Sequence, residues 1–544
     1  MDYKKLADLL FPNVENIEYY LKKYPKREKK EGEEILRFAP SPTGFIHMGS
    51  LFAAFVPEIF SHQTGGKFIL RIEDTDQKRE IENGIENIIR DLKNYKFIID
   101  ESPMNKGKYA PYIQTQRKDI YLSFAKYIVS KGRAYPCFCS EEEIQNMRSI
   151  QQQKKDRIGY YGQYAKCRNL TYEEIESKIN NGEKFVIRLK SQGDFNKKII
   201  FNDLVKGKME FPENDIDHIL LKSDGLPPYA FAHVVDDHLM DITTITRADE
   251  YVSSIPYHLE IWQAFEFPVP RYAHIAPLTK KEGTTIRKLS KRKDPEAAVS
   301  YYSELGIPVD AVRLYLATLL NSDFEMWYMQ NPDKTIKDFE FKFNKMSVGG
   351  SLFDLDKLIN ISKVYFSKKK AEDIYKETLE YTSEYDKDFY EIVKNNKDKL
   401  ISFLNIERNI PRPRKDISCY SDVKKETSYL FKELFTEYQI EKKPFYDANI
   451  LEDYFTNYYN VNDTKEIWFN KIKELCPKYG YASETKDYKQ SPEKYKGSVS
   501  DICEIIRVAM TGRTMTPDLY EILKLFTNDQ IKDRIKMFNE YLTK

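Results

Sequence analysis

A histidine two residues ahead of a glycine, His47 and Gly49, closes the Pro/Gly-rich turn PSPTGFIHMG, and much later two lysines, Lys288 and Lys291, flank a serine in KLSKR. An imidazole and two ammonium groups suit a reaction that builds negative charge on phosphate oxygens, where positioning and fixed positive charge do most of the stabilising. His47 can donate to a phosphate oxygen from the turn, and Gly49 lets a ligand approach the backbone. Lys288 and Lys291 lie in KKEGTTIRKLSKRKD, a cationic strip suited to gripping a pyrophosphate group as the transition state forms. Taken singly, a histidine in a turn is usually structural or exposed, and a short basic cluster is usually solvated surface. Their joint presence favours chemistry.

Strands and turns must position these groups. Ile35, Leu36 and Phe38 read as a buried strand, the turn follows, and LFAAFVPEIF carries apolar residues at helical spacing. Backbone N–H groups at that helix start are expected to face an anion. Pro57 is expected to kink the helix or end it early. KFILRIEDTD then reads as a second parallel strand, making a βαβ unit whose ligands gather at the C-terminal strand ends. Glu73, Asp74 and Asp76 also admit a structural reading, capping a helix and pairing with Arg79.

From Gln114 to Leu221 the pattern is mixed, with KFVIRLK and KIIFNDLVKGK as two short alternating strands, and is read as an insertion. The sheet resumes in PPYAFAHVVDDHLMDITTITRADE, where β-branched runs end in Asp, Arg and Glu. From about Pro270 a helix-rich stem holds KLSKR on a loop, and beyond Asp354 the chain is helical. Residues 1–34 read as a surface appendage.

The chain has 544 residues, several domains by the usual prior of about 100–200 each. Lys+Arg 86 against Asp+Glu 85 gives a formal charge of +1, so a nucleic-acid partner must be met by local patches. There is no run of about 18 apolar residues and the charged start does not resemble a secretory signal, which excludes a membrane-spanning reading and predicts a cytoplasmic protein. Six Cys, three of them isolated, do not suggest a disulfide framework.

RFAPSPTGFIHMG (Arg37 to Gly49) resembles the first signature of bacterial-type glutamyl-tRNA synthetases, and KLSKR (Lys288 to Arg292) the second. RIEDTD, PYIQTQR, VVDDHLM, ITRADE and VAMTGR are further local matches. The resemblance implies an α/β Rossmann-type catalytic domain split by a mixed insertion, followed by a helical stem region and an all-α anticodon-binding domain. The implied boundaries are 1–34 (extension), 35–113 and 222–270 (the two catalytic halves), 114–221 (acceptor-binding insertion), 271–353 (stem contact) and 354–544 (anticodon binding). It implies ATP-dependent ligation of glutamate to the terminal adenosine of tRNA(Glu), with tRNA(Gln) left open as a second partner, by a monomer using Mg²⁺ with its ATP.

By the same resemblance Thr43, Gly44, His47, Gly49, Ser50, Lys288 and Lys291 bind ATP, with Lys291 the charge most responsible for adenylation. Ser50 stands where the family often has a second His, so a hydroxyl or backbone N–H must serve. Arg37, Ala39, Ser41, Tyr229 and Arg247 surround glutamate and Glu73 holds its amino group. ITRADE departs from the usual Arg-Gly-Glu-Asp run, leaving Asp249 and Glu250 without an assigned role. Cys137, Cys139 and Cys167 have the spacing of the family's zinc site, with Tyr164 a candidate fourth ligand because Asn169 stands where a His would fall; reduced buried cysteines are the alternative. The basic and aromatic segments RNIPRPRK, YKQSPEKYKG and IIRVAMTGRT suit phosphate contacts and stacking on unpaired bases. The helical half argues against a truncated enzyme that glutamylates a base of tRNA(Asp) and against a small-molecule nucleotidyltransferase. A glutaminyl enzyme would end in a β-barrel, and a non-catalytic RNA-binding paralogue could lose His47, Lys288 and Lys291.

Overall fold

The structure, a computed structural model, describes residues 1–76, 81–290 and 292–544; Lys291 and Arg79 therefore lie outside the described residues. Two compact units emerge, Met1–Tyr301 with Arg313–Asp354, and Tyr302–Val312 with Leu355–Lys544.

In the first unit the strand Ile35–Phe38 is buried throughout, as a central parallel strand covered on both faces must be. It pairs in parallel with Lys67–Leu70, Ile35 opposite Lys67 and Phe38 opposite Leu70. Gly66 permits this approach, since a Cβ there would lie 1.9 Å from the Glu34 carbonyl oxygen. On the other side the Thr243 N–H donates to the Ile35 carbonyl (3.0 Å), bringing the strand Thr244–Ala248 alongside. That strand pairs in parallel with Arg271–Ile275. The crossovers are the helices Met48–Gln63 and Ile255–Ala264, so all four strands point their C-terminal ends to one edge. The first crossover continues through Pro57 to Gln63. Leu51, Phe55 and Phe60, buried on both sides of the proline, keep the helix from ending there and offset the roughly 3 kcal/mol an internal proline costs.

Three readings change on folding. Tyr229–Leu239, expected as a strand, is a buried helix after Pro228; with both faces covered its apolar residues show no clear period. KIIFNDLVKGK contains a reversal, the strand Lys198–Asp203 returning as Gly207–Pro212, with the Asp203 carboxylate accepting the N–H groups of Val205 and Lys206 in the turn. Residues 1–34 are no appendage: Leu6, Ala7, Leu10, Phe11, Ile17, Tyr20 and Tyr24 belong to the main core. The apolar positions Leu6 and Leu10 lie one turn apart on a helix capped by Asp2, and beyond the next helix Arg27 grips both oxygens of Glu101 (2.6 and 2.8 Å).

Residues 114–221 contribute the helix Lys118–Ser130 and an antiparallel sheet of Ala134–Cys137, Val186–Leu189 and Ile219–Leu221. KLSKR starts at the end of a hairpin, Thr279–Glu282 with Thr285–Lys288, turning at Gly283, and Leu289 and Ser290 continue as loop. The second unit is helical around its own core of Phe403, Leu404, Ile505, Ile506 and their neighbours, and no strand occurs among its described residues.

Candidate active site

His47 is the N-cap of the helix Met48–Gln63, and its Nδ1 accepts the Ser50 N–H at 3.0 Å. An accepting Nδ1 puts the proton of the neutral ring on Nε2, which is the donor a phosphate oxygen requires. The Ser50 N–H, expected to face an anion, is thus committed to His47. Gly49 has a steric task as well, because a Cβ would sit 3.0 Å from the His47 ring. Thr43 is exposed and Gly44 half-buried in the same turn. Just past KLSKR, Ala298 forms an antiparallel bridge with His47, which draws the two distant signatures together. Asp294 anchors that segment by accepting from both Arg287 guanidinium nitrogens (2.7 and 2.8 Å) and from the Ser290 N–H (2.9 Å). Lys288 Nζ lies 3.9 Å from Glu250, giving that carboxylate a place at the rim beside the strand that carries Arg247.

Beneath the strand ends, four of the matched segments fuse into one buried ionic network. Asp237 accepts from Arg37 Nε and Nη2 (3.0 and 3.1 Å), Arg71 Nη1 (2.6 Å) and His233 Nδ1 (3.0 Å). Burial opposes its ionisation, yet the Arg37 and Arg71 charges hold Asp237 well below the usual carboxylate range. Asp236 accepts from Arg117 Nε (2.7 Å), Gln114 (2.9 Å) and Tyr121 (2.8 Å). Arg37 also donates to the Thr246 carbonyl at 2.9 Å, so the strands carrying Arg37 and Arg247 are joined at this level. Its charge is nonetheless already matched by Asp237.

Arg247 differs. It is 8% exposed and has no carboxylate within 4 Å among the described residues; its Nε donates to His274 Nε2 (2.9 Å), its Nη1 to His258 Nδ1, and its Nη2 is buried without a partner. Glu73, bonded to Arg71 Nη2 at 3.1 Å, is pushed up to about 7 by burial despite the opposing charges of Arg71 and Arg37. Tyr229 packs on His233 and Tyr251, with centroids 5.1 and 4.8 Å apart. Ala39 is half-buried and Ser41 exposed beyond the first strand. Asp74 accepts the Thr115 N–H (2.9 Å), and the described helix Gly84–Asn94 has Asn83 as its N-cap.

The thiol sulfurs of Cys137, Cys139 and Cys167 all lie within 4.8 Å of one another. Hydrogen bonding from Cys139 and Cys167 drives the Cys137 thiol down, while the bond to Cys137 drives Cys139 up, the pattern of several sulfurs crowded around one charge. Tyr164 is not among them, its hydroxyl donating to Asp156 on the surface (2.5 Å). Tyr160 occupies that place, its hydroxyl 3.4 Å from Cys137 Sγ, 3.3 Å from Cys139 Sγ and accepting the Cys167 N–H at 3.0 Å. Three thiols and a phenol on one small sphere fit a tetrahedral thiophilic ion.

Asp237, His258, His274 and Tyr160 were missed in the sequence. The one available signal was the Asp-Asp pair inside an apolar run, which demands buried cations as partners.

Residues 35–360 match the family described as tRNA synthetases class I (E and Q), catalytic domain, and residues 406–538 match an anticodon binding domain. A glutamate–tRNA ligase of Clostridium perfringens strain SM101 is 44% identical over 549 residues, covering 99% of this chain and 100% of its own, and one of Acetivibrio thermocellus is 44% identical over 544 residues, covering 98% and 100%. Among solved structures, a glutamate–tRNA synthetase of Elizabethkingia anophelis is 26% identical with a TM-score of 0.74, over 93% of this chain and 100% of that one. A glutamate tRNA ligase of Elizabethkingia meningosepticum, in complex with its amino acid, shares the fold at 24% identity and a TM-score of 0.75, over 94% and 100%. Matched by the catalytic-domain family over residues 35–360 and 44% identical to relatives over nearly its whole length, the chain belongs to the class I tRNA synthetases of the E and Q family.

Proposed function

We infer that this chain is a glutamate–tRNA ligase, which activates glutamate with ATP and transfers it to the 3′-terminal adenosine of tRNA(Glu). The observation that carries the choice of amino acid is Arg247, a buried guanidinium that has, among the described residues, no resident carboxylate and one nitrogen unpartnered. A substrate side-chain carboxylate completes it; an uncharged carboxamide does not. Glu73 takes the substrate ammonium, while Arg37, Ala39, Ser41 and Tyr229 wall the remainder, Arg37 fixed by Asp237 rather than spent on charge neutralisation.

In the activation step the α-carboxylate of glutamate attacks the α-phosphorus of ATP and the bond to pyrophosphate breaks. His47 Nε2–H and the ammonium of Lys288, and by family resemblance that of Lys291, meet the charge that grows on the phosphate oxygens. Thr43, Gly44, Gly49 and Ser50 form the turn over the nucleotide, and Mg²⁺ accompanies the polyphosphate. A ribose hydroxyl of the tRNA terminus then attacks the mixed anhydride and AMP leaves.

The insertion receives the acceptor end, and Cys137, Cys139 and Cys167 with Tyr160 hold a structural zinc there; bound zinc would tie the strand Ala134–Cys137 to the Lys166–Asn169 turn. In the helical unit a groove of about 710 Å³ is lined by Trp468, Phe469, Arg507 and Tyr520, with Trp468 Nε1 and Arg507 Nε buried and unpartnered. Aromatic faces beside idle donors suit unstacked anticodon bases.

The test is aminoacylation of purified tRNA(Glu), tRNA(Gln) and tRNA(Asp) with labelled glutamate or glutamine. Glutamate esterified to tRNA(Glu) supports the reading. Charging with glutamine, or glutamate delivered to a base of tRNA(Asp), overturns it.

A further inference from the structure

Every other buried arginine of the site's ionic network has its own carboxylate: Arg37 and Arg71 share Asp237, and Arg117 has Asp236. Arg247 is instead held by two imidazoles. A guanidinium N–H can only donate, so His274 Nε2, met at 2.9 Å by Arg247 Nε, carries a lone pair, as does His258 Nδ1 opposite Nη1. The proton of His274 is on Nδ1, where it is given to Asp203 at 2.6 Å. Asp203 in turn is pinned by the N–H groups of His274 (3.1 Å), Val205 (2.9 Å) and Lys206 (2.8 Å), so its orientation is set by backbone.

We propose that His274 and His258 are positioning residues for substrate selection: as neutral acceptors they fix the Arg247 guanidinium without neutralising it, and Asp203 locks His274 in the tautomer this needs. A resident carboxylate would compete with the substrate's own, and an imidazolium would repel the guanidinium. Burial keeps both imidazoles neutral, pushing His274 below its ordinary range and His258 well below. The groups around them are His233 and Tyr229 from the helix Tyr229–Leu239, Tyr251, Tyr272 and His218, with Asp203 and Lys206 from the hairpin. Asp203 bonds His274, Asp237 bonds His233 and Asp249 pairs with Lys206, and among the described residues none of these carboxylates pairs with Arg247; Asp203 reaches it only through the His274 ring.

The inference rests on the glutamate reading above. Its test compares His274→Phe with His274→Gln in the full chain, measuring aminoacylation of tRNA(Glu) over a range of glutamate and of ATP. The phenylalanine variant should raise the glutamate KM about tenfold or more and leave the ATP KM within about twofold. The glutamine variant, whose amide can both accept from Arg247 and donate to Asp203, should recover most of that loss. Equal losses in both variants, or an equal rise in the ATP KM, overturn the proposal. Wild-type protein that fails to charge glutamate removes the parent reading instead, so the two failures are distinct. Should His274→Phe not fold, ¹⁵N resonances of imidazole-labelled wild-type protein decide at pH 7: a neutral His274 protonated on Nδ1 supports the proposal, and an imidazolium or Nε2–H tautomer contradicts it.

Discussion

Glu73 lends itself to a test in which stability and activity must move in opposite directions. Burial raises its carboxyl from 4.5 to about 7 in the folded protein, against the pull of Arg71 and Arg37. Because the folded value lies above the unfolded one, the associated stability is full below pH 4.5 and is lost as pH rises through about 7. At 1.36 kcal/mol per pH unit, that loss reaches about 3 kcal/mol at pH 8. Glu73→Gln cannot ionise, so in the absence of substrate it should be more stable than wild type at pH 8, by up to about 3 kcal/mol, with the gain vanishing near pH 4.5. For activity the sign reverses. The substrate ammonium needs the ionised form, so wild-type kcat/KM for glutamate should fall about tenfold per pH unit below 7 and level off above it. Loss of the charged hydrogen bond in Glu73→Gln should lower kcat/KM by about 10- to 150-fold, equivalent to about 1.5–3 kcal/mol, and flatten this limb. Chemical denaturation across pH 5–8 and steady-state kinetics over the same range check both halves. A variant that is less stable at pH 8, or that keeps the acidic limb, refutes the reasoning.

Removing Asp237 strands two buried guanidinium groups, so Asp237→Ala should cost about 3–5 kcal/mol in urea unfolding; a loss under about 1 kcal/mol would mean the network is not formed. Leu6→Ala should cost about 2–5 kcal/mol, as for any core leucine, whereas a residue on a loose extension would change stability by less than about 0.5 kcal/mol. Protein purified without chelator should carry about one zinc per chain by elemental analysis, and Cys167→Ala should lose it; less than about half an equivalent in the wild type counts against the cluster as a metal site.

What could be read from the sequence follows from how local each signal is. The turn between the first strand and helix announces itself through Pro40, Pro42 and Gly44, and the strand–helix–strand unit through its apolar runs. Lys288 and the cysteines are likewise short-range patterns. The helix Tyr229–Leu239 escaped because a helix buried on all sides has no polar face to set its period, and its β-branched Val234 and Val235 favour a strand reading. The tertiary partners are illegible in principle: His258 and His274 stand 11 and 27 residues from Arg247 and meet it only when two strands and a helix close. Tyr160 reaches the thiols with its hydroxyl, while Tyr164, whose ring packs beside the same cluster, gives its hydroxyl to Asp156. The N-terminal helices were masked by their lysines, since a high charge count hides the apolar positions spaced one turn apart.

The position of a bound glutamyl-adenylate tests the assigned site most directly. A crystal structure of the chain with a non-hydrolysable glutamyl-adenylate analogue should place the γ-carboxylate on Arg247 Nη2, the ammonium on Glu73, and the phosphoryl-mimicking group beside His47 and the Lys288 hairpin. An analogue bound away from Arg247, or with its phosphate mimic facing a surface remote from His47, contradicts it.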